Sequence, residues 1–253
     1  LLGHITAGIY VGPGRRVTLT ERLRNVEVQP GALTDTDAQT VDGARLPYSK
    51  SVFPATTGMG GATVWGHKLA FLDDTRDDTL TPTVGSYFTM FAELAQSLSA
   101  DTNTVFSRYG FDYRILLPTA TKQYTFVFRA KLDATVGGNE IPFFERSSLG
   151  GQNTLRGYGV GRFVDNHALV ISAEERIQLF HVRVFGTVAE VEMAPFLDVG
   201  KVTDTFRYRA FSQYEANPGI GFRAIARPNV VGRVDVATGN EGSAVFAGLD
   251  FPF

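Results

Sequence analysis

The side chains best suited to proton transfer or metal binding are few and scattered in this sequence. The histidines His4, His67, His167 and His181 stand singly, without a His-x-x-x-His pair or a carboxylate at the spacing of a metal site. There is no cysteine, which excludes disulfides and thiolate metal sites. No Gly-x-Ser-x-Gly elbow occurs, and "GYGVG" (157–161) lies between strands instead of opening a helix as a phosphate cradle would. We therefore expect no enzyme activity, no metal and no cofactor.

The remaining candidate is a group of large side chains in a glycine-rich loop. The stretch "SLGGQNTLRGYGVGRFVDN" (148–166) holds Arg156, Tyr158, Arg162 and Phe163 between two runs that are typical of β-strands. It is too long for a hairpin turn and too rich in glycine for a helix. The large side chains of such a loop must pack against other residues, and the flanking strands are the elements that can provide this packing surface.

Apolar and charged residues alternate with a period of two through most of the chain, which indicates β-strands with two unlike faces. In "YTFVFRAKLDA", Tyr124, Phe126 and Phe128 oppose Arg129 and Lys131. Many segments reach the ~9–11 residues that a tilted strand needs to cross a bilayer. The pattern predicts about eleven strands, at residues 2–11, 15–28, 62–76, 84–97, 104–117, 123–136, 167–180, 187–201, 214–227, 229–238 and 243–253.

Short turns such as 12–15 and 227–229 alternate with long polar segments such as 29–61 and 137–166. This alternation is typical of an outer-membrane barrel, and a single-chain bacterial barrel normally has an even number of strands. We therefore predict an all-β fold, a transmembrane antiparallel up-and-down β-barrel of about twelve strands, with one strand before Leu1. A large soluble β-sandwich, whose strands also alternate, is the structural alternative.

Length and charge add two further expectations. The 253 residues suit a single barrel domain, residues 1–253, and the absence of an initiator Met and of a signal peptide indicates the C-terminal part of a longer precursor. The formal net charge of −2 gives no electrostatic reason to expect nucleic acid as a partner.

The glycine-rich loop and the strand after it carry a family resemblance. "LGGQNTLRGYGVGRFVDNHALVISAEERI" (149–177) resembles the sixth extracellular loop and following strand of the BamA/TamA outer-membrane assembly-factor superfamily, also called the bacterial surface antigen family. Arg156, Gly157 and Tyr158 match the family's Arg-Gly-Phe/Tyr tip. The resemblance covers most of residues 62–253, and further matches are "LDDTRDDTLTPTVGSYF" (72–88), "IPFFERSSLGG" (141–151) and "APFLDVG" (194–200).

The resemblance implies that the extracellular loop 137–166 folds into the barrel lumen and that its arginine meets acidic residues of the next two strands. Glu174 and Asp198 lie on the polar sides of those two strands. Two carboxylates on adjacent strands repel unless a cation lies between them, and a guanidinium can serve both with its forked donors. We therefore predict a lumenal loop lock formed by Arg156, Gly157, Tyr158, Glu174 and Asp198, with Gly150 and Gly151 as the loop glycines that allow tight turns.

The function that the resemblance implies is outer-membrane protein assembly or insertion, or translocation of polypeptide or lipid, by an integral protein of the bacterial outer membrane. Its partners would be outer-membrane lipids, client polypeptides and, during biogenesis, the barrel assembly machinery; a homo-oligomer is a further option. The alternatives are a passive outer-membrane pore or scaffold with a loop-plugged lumen and, outside the membrane, a secreted β-sandwich binding module.

The closing "GLDFPF" resembles the C-terminal signal by which outer-membrane proteins are recognised for insertion, with Gly248, Phe251 and Phe253 as its residues. Continued strand alternation places both phenylalanines on the face of Val245 and Leu249. Deleting Phe253 is expected to lower the amount of protein in outer-membrane fractions, because the last strand must be recognised before the barrel closes. Unchanged abundance would count against the signal.

Overall fold

A computed structural model describes residues 1–28, 39–41, 44–46, 56–99, 103–138, 140–184, 187–205, 214–226 and 230–253. These residues are nearly all in strands or the turns between them, and no helix among them has the length and apolarity needed to cross a membrane. A short 3₁₀ turn covers Phe143–Glu145. The strands are β1 (Leu2–Gly12), β2 (Arg15–Val26), β3 (Gln39–Val41), β4 (Ala44–Leu46), β5 (Ala62–Asp74), β6 (Gly85–Ser97), β7 (Val105–Pro118), β8 (Tyr124–Val136), β9 (Ser147–Leu149), β10 (Phe163–Asp165), β11 (His167–Val184), β12 (Thr187–Thr203), β13 (Glu215–Ala226), β14 (Val230–Gly239) and β15 (Gly242–Gly248).

One antiparallel sheet contains eleven of the strands found in the described residues, in the order β1-β2-β5-β6-β7-β8-β11-β12-β13-β14-β15. Each long strand pairs with its neighbours along the chain, so the predicted all-β, up-and-down fold is confirmed. The predicted segments agree with these strands to within a few residues, except the last, which ends at Gly248. The total of about twelve strands stays a prediction.

The two faces of the sheet differ in the way that the alternation predicts. On β8, Phe126 and Phe128 are 39% and 46% exposed, whereas the intervening Val127 and the next inward residue, Arg129, are buried. The outward face is therefore apolar and the inward face carries the charges. This arrangement is the reverse of a soluble domain and fits an outer surface that meets lipid.

The loop 137–166 lies against the inward face of the sheet. Its base is closed by a short ladder between β9 and β10. Between these strands, Leu155 and Tyr158 are buried and pack with Ala168 and Val170 of β11. The loop is thus held by apolar packing as well as by the charges described below.

The apolar outward face of β7 can be tested through the stability of the barrel. Phe111 lies near the middle of β7 on the outward face, so Phe111→Arg should destabilise the barrel by about 2–4 kcal/mol if that face meets the membrane core. The matched control is Thr89→Arg on β6, because Thr89 pairs with Asp112 in the register and shares its inward, polar face, where an added charge does not have to enter lipid. Denaturant unfolding in lipid vesicles would measure both, and equal losses would contradict the assignment of faces.

Candidate functional site

The guanidinium of Arg156 is the centre of the loop's polar contacts. Its Nε and Nη2 donate to the two carboxylate oxygens of Asp198 at 2.8 and 3.0 Å, and its Nη1 donates to Glu174 Oε2 at 3.0 Å. The backbone N–H of Arg156 also donates to Asp198 Oδ2, at 3.3 Å. All three side chains are at most 1% exposed. The structure thus brings together the three residues that the sequence predicted to meet.

Strand order explains why these carboxylates meet one loop residue. Glu174 lies on β11 and Asp198 on the adjacent β12, and both point inward because they fall on the buried positions of the alternation. The ring of Phe196, two residues before Asp198 on the same face, lies 3.3 Å from the guanidinium carbon of Arg156. A planar guanidinium can stack on this ring while its edge donates to both carboxylates.

Further arginines balance the acids around the lock. Glu174 accepts from Arg176 at 3.0 Å and from Arg223 at 2.8 Å. Asp235 of β14 pairs with Arg233 at 2.6 Å and lies 3.7 Å from Arg156. Asp198, by contrast, has no cation other than Arg156 within 4 Å among the residues that the structure describes. Arg156 is therefore indispensable for Asp198 but shares Glu174 with two other cations.

The loop glycines stand where a larger residue does not fit. Gly150 and Gly151 have φ of +114° and +94°, a region that L side chains rarely adopt. A Cβ on Gly157 would lie 2.6 Å from Nδ2 of Asn217, so the backbone after Arg156 can approach β13 only without a side chain. These positions let the chain turn tightly enough to deliver Arg156 to the acids.

Tyr158 makes a second polar anchor near the tip of the loop. Its hydroxyl donates to Glu215 and accepts from the backbone N–H of Asn240 at 3.1 Å. Burial and the hydrogen bond to Glu215 raise the pKa of Tyr158, which keeps the hydroxyl protonated as a donor. Arg162 differs from both anchors, because it is half-exposed and pairs with Glu241 at the surface.

Several site residues were not singled out from the sequence. Asp235 shares the polar side of β14 with Arg233, a signal that strand alternation already contained. Arg129 donates to the carbonyl oxygen of Asn153 in the loop at 2.6 Å, a contact that no sequence pattern could reveal. Glu145, within the quoted "IPFFERSSLGG" stretch, was also missed, and it pairs with three arginines of the wall.

The position expected for Phe251 and Phe253 is wrong. β15 ends at Gly248, and residues 249–253 turn toward the inward side instead of continuing the strand. The ring centroid of Phe251 lies 3.9 Å from the guanidinium carbon of Arg176. The ring centroid of Phe253 lies 5.4 Å from the guanidinium carbon of Arg156. The two phenylalanines thus lie against buried arginines and do not share the outward face of Val245. The role of Gly248, Phe251 and Phe253 as an assembly signal stays a proposal.

The chemistry of this site is that of paired charges. Within the described ranges, no group of three or more His, Asp or Glu side chains could hold a metal ion. The buried carboxylates instead face guanidinium groups, which stay protonated in proteins. Such an arrangement can hold a loop in place.

Replacing Arg156 should open the loop without unfolding the barrel. Arg156→Ala leaves Asp198 buried without any described cation within 4 Å, at a cost of about 3–5 kcal/mol. Arg156→Lys loses the forked donors. Both variants should make residues 148–166 sensitive to protease while heat-modifiable migration of the barrel is retained. Arg162→Ala is the control, because an exposed pair contributes only ~0–1 kcal/mol. Equal resistance of all variants would contradict the lock.

The comparisons with known proteins agree with this geometry. The profile of the Omp85 superfamily domain matches residues 31–226. No curated protein sequence matches significantly, whereas 65 chains of solved structures do. One is BamA from Haemophilus ducreyi lacking POTRA domains 1–3, with a TM-score of 0.66 and 15% identity over 97% of this chain and 52% of that chain, so this chain spans about half of that structure. The expected family is confirmed, and the chain belongs to the Omp85 superfamily.

Proposed function

We propose that the chain forms an integral barrel of the bacterial outer membrane that assembles or inserts outer-membrane proteins, or translocates polypeptide or lipid. Membership of the Omp85 superfamily and the apolar outward face of the sheet support this location. The observation that carries the proposal is the complete burial of Arg156 between Asp198 and Glu174. A loop held in this way lies within the interior, which favours the wall of the barrel over an open channel as the working surface.

The wall offers a place where another strand could pair. β15 pairs only with residues 233–239 of β14, so Val230–Gly232 has a single neighbour, β13, among the described strands. Unpaired strand edges are templates for added strands. A client strand or a lipid would act at a weak seam between the first and last strands of the barrel, beside β15 at the end of the described sheet, while the locked loop stays in the interior. Outer-membrane lipids and client polypeptides are the partners that this mechanism requires, and the barrel assembly machinery is the partner expected during biogenesis.

A passive pore or scaffold is the second candidate, favoured by the same buried loop if the loop does no more than plug the lumen. The two candidates differ in what loosening the loop does. In an assembly factor it should impair the folding of clients, whereas in a plugged pore it should open a conducting path.

The deciding experiment measures both outcomes with the same variants. Arg156→Lys, expressed in the full-length protein as the only copy in the cell, should reduce the heat-modifiable, folded fraction of a reporter barrel several-fold while its own abundance is unchanged. Arg162→Ala should leave the reporter unaffected, because its exposed ion pair lies outside the lock.

Conductance across a planar bilayer completes the test. Wild type and a variant lacking residues 148–166 are compared under the same conditions. Normal reporter folding with Arg156→Lys, together with a large rise in conductance on loop deletion, would favour the passive pore over the assembly function.

A further inference from the structure

The loop 137–166 carries a second buried ion-pair cluster, in which the loop supplies the acid and the wall supplies the arginines. Glu145, in the 3₁₀ turn, is 1% exposed. Its two carboxylate oxygens accept from Nη1 and Nη2 of Arg22 on β2 at 3.0 and 2.9 Å. Arg24 of β2 lies at 3.1 Å and Arg108 of β7 at 3.5 Å. An acid of the loop is thus held by arginines of the wall, whereas at Arg156 a cation of the loop is held by acids of the wall.

The two clusters lie on different parts of the sheet. Glu145 is bound to β2 and β7, and Arg156 is bound to β11 and β12. Backbone hydrogen bonds accompany each cluster: the Phe143 and Arg146 N–H groups are bonded at the first, and those of Gly151 and Tyr158 at the second. The loop is therefore fixed at two points that lie eleven residues apart in the chain, from 145 to 156.

The wall charges that remain after Glu145 withdraws keep partners or water, whereas Asp198, which remains after Arg156 withdraws, keeps no cation within 4 Å among the described residues. If Glu145 withdraws, Arg22 retains Glu93 at 2.7 Å and Arg108 retains Glu93 at 3.3 Å. Arg24 is already 34% exposed and can be hydrated. If Arg156 withdraws, Asp198 is left fully buried without any cation that the structure describes within 4 Å. An uncompensated buried charge is far more costly than a hydrated or re-paired one.

We propose that Glu145 is a second positioning residue of the loop and its release point, so that the loop detaches from β2 and β7 first while Arg156 remains bound to β11 and β12. The order follows from the pairing, because Glu93 keeps Arg22 and Arg108 paired after Glu145 leaves, and the partly exposed Arg24 is hydrated. Added salt should weaken the Glu145 end of the loop more than the Arg156 end, because it screens exposed charges more than buried ones. The arginines around Glu145 are 15–34% exposed, whereas Arg176 and Arg223 beside Glu174 are at most 3% exposed.

Hydrogen–deuterium exchange of the purified full-length protein can follow the two ends separately. Peptides within 141–149 report the amides of Phe143 and Arg146, and peptides within 151–160 report those of Gly151 and Tyr158. Glu145→Gln removes the charge but keeps the shape of the side chain. It should accelerate exchange in 141–149 at least about tenfold and leave 151–160 unchanged.

Two arms of the experiment establish the order of release. Raising salt from ~0.15 to ~1 M, which shortens the screening length from ~8 to ~3 Å, should accelerate exchange in wild-type 141–149 but not in 151–160. Arg156→Lys should raise exchange in 151–160 to the rate of 141–149. Glu140→Gln is the matched control, because Glu140 is an exposed carboxylate of the same loop and should change neither segment.

Three results would overturn the proposal. Unchanged exchange in 141–149 with Glu145→Gln would mean that Glu145 does not anchor the loop. Equal acceleration of both segments would mean that the loop opens as one unit, without a release point. Acceleration of 151–160 alone by salt would reverse the order. The measurement needs no client, so its outcome is independent of the assembly function proposed above.

Discussion

Arg156 carries a positive charge into the buried interior, and the rest of the loop is arranged around that charge. Its forked donors occupy both oxygens of Asp198 and one of Glu174. Removing a charged group from water is costly unless its partners are well placed, so the loop can stay inside only where two strands present acids at the right level. The glycines beside it, the stacked ring of Phe196 and the antiparallel register of β11 and β12 all serve this one requirement.

Charge pairing replaces the apolar core of an ordinary domain through much of this interior. Asp112 holds both Arg114 and Arg129, and Arg129 in turn reaches the loop carbonyl of Asn153. Small apolar clusters lie among these pairs, such as the one formed around Val64 and Phe106. Paired charges have directional contacts and defined partners. The loop is therefore held on two parts of the sheet by ion pairs with defined partners, and by apolar packing at both.

The predictable part of the site consists of residues whose direction depends on the strand alone. The family resemblance singled out Arg156 and implied that acids of the next two strands meet it, and alternation placed Glu174 and Asp198 on the polar sides of those strands. Glu145 escaped notice because it lies in a short 3₁₀ turn, where no period of two applies, and its partners on β2 are more than a hundred residues away. Phe251 and Phe253 were misplaced because the strand alternation was continued past Gly248, where the chain turns inward.

The family resemblance pointed to the acids that the loop arginine meets, and the sequence pattern by itself determined the strands, their two faces and the up-and-down order. These features are local, since a side chain's direction in a strand repeats every two residues whatever the strand packs against. Only the tertiary structure decided which charges pair. Glu174 is shared among three arginines, Asp198 has Arg156 as its one cation within 4 Å among the described residues, and Phe251 stacks on Arg176. Each of these contacts requires distant segments at fixed heights within one interior. Those heights are set by the register of the whole sheet and the path of the loop, which no single segment encodes.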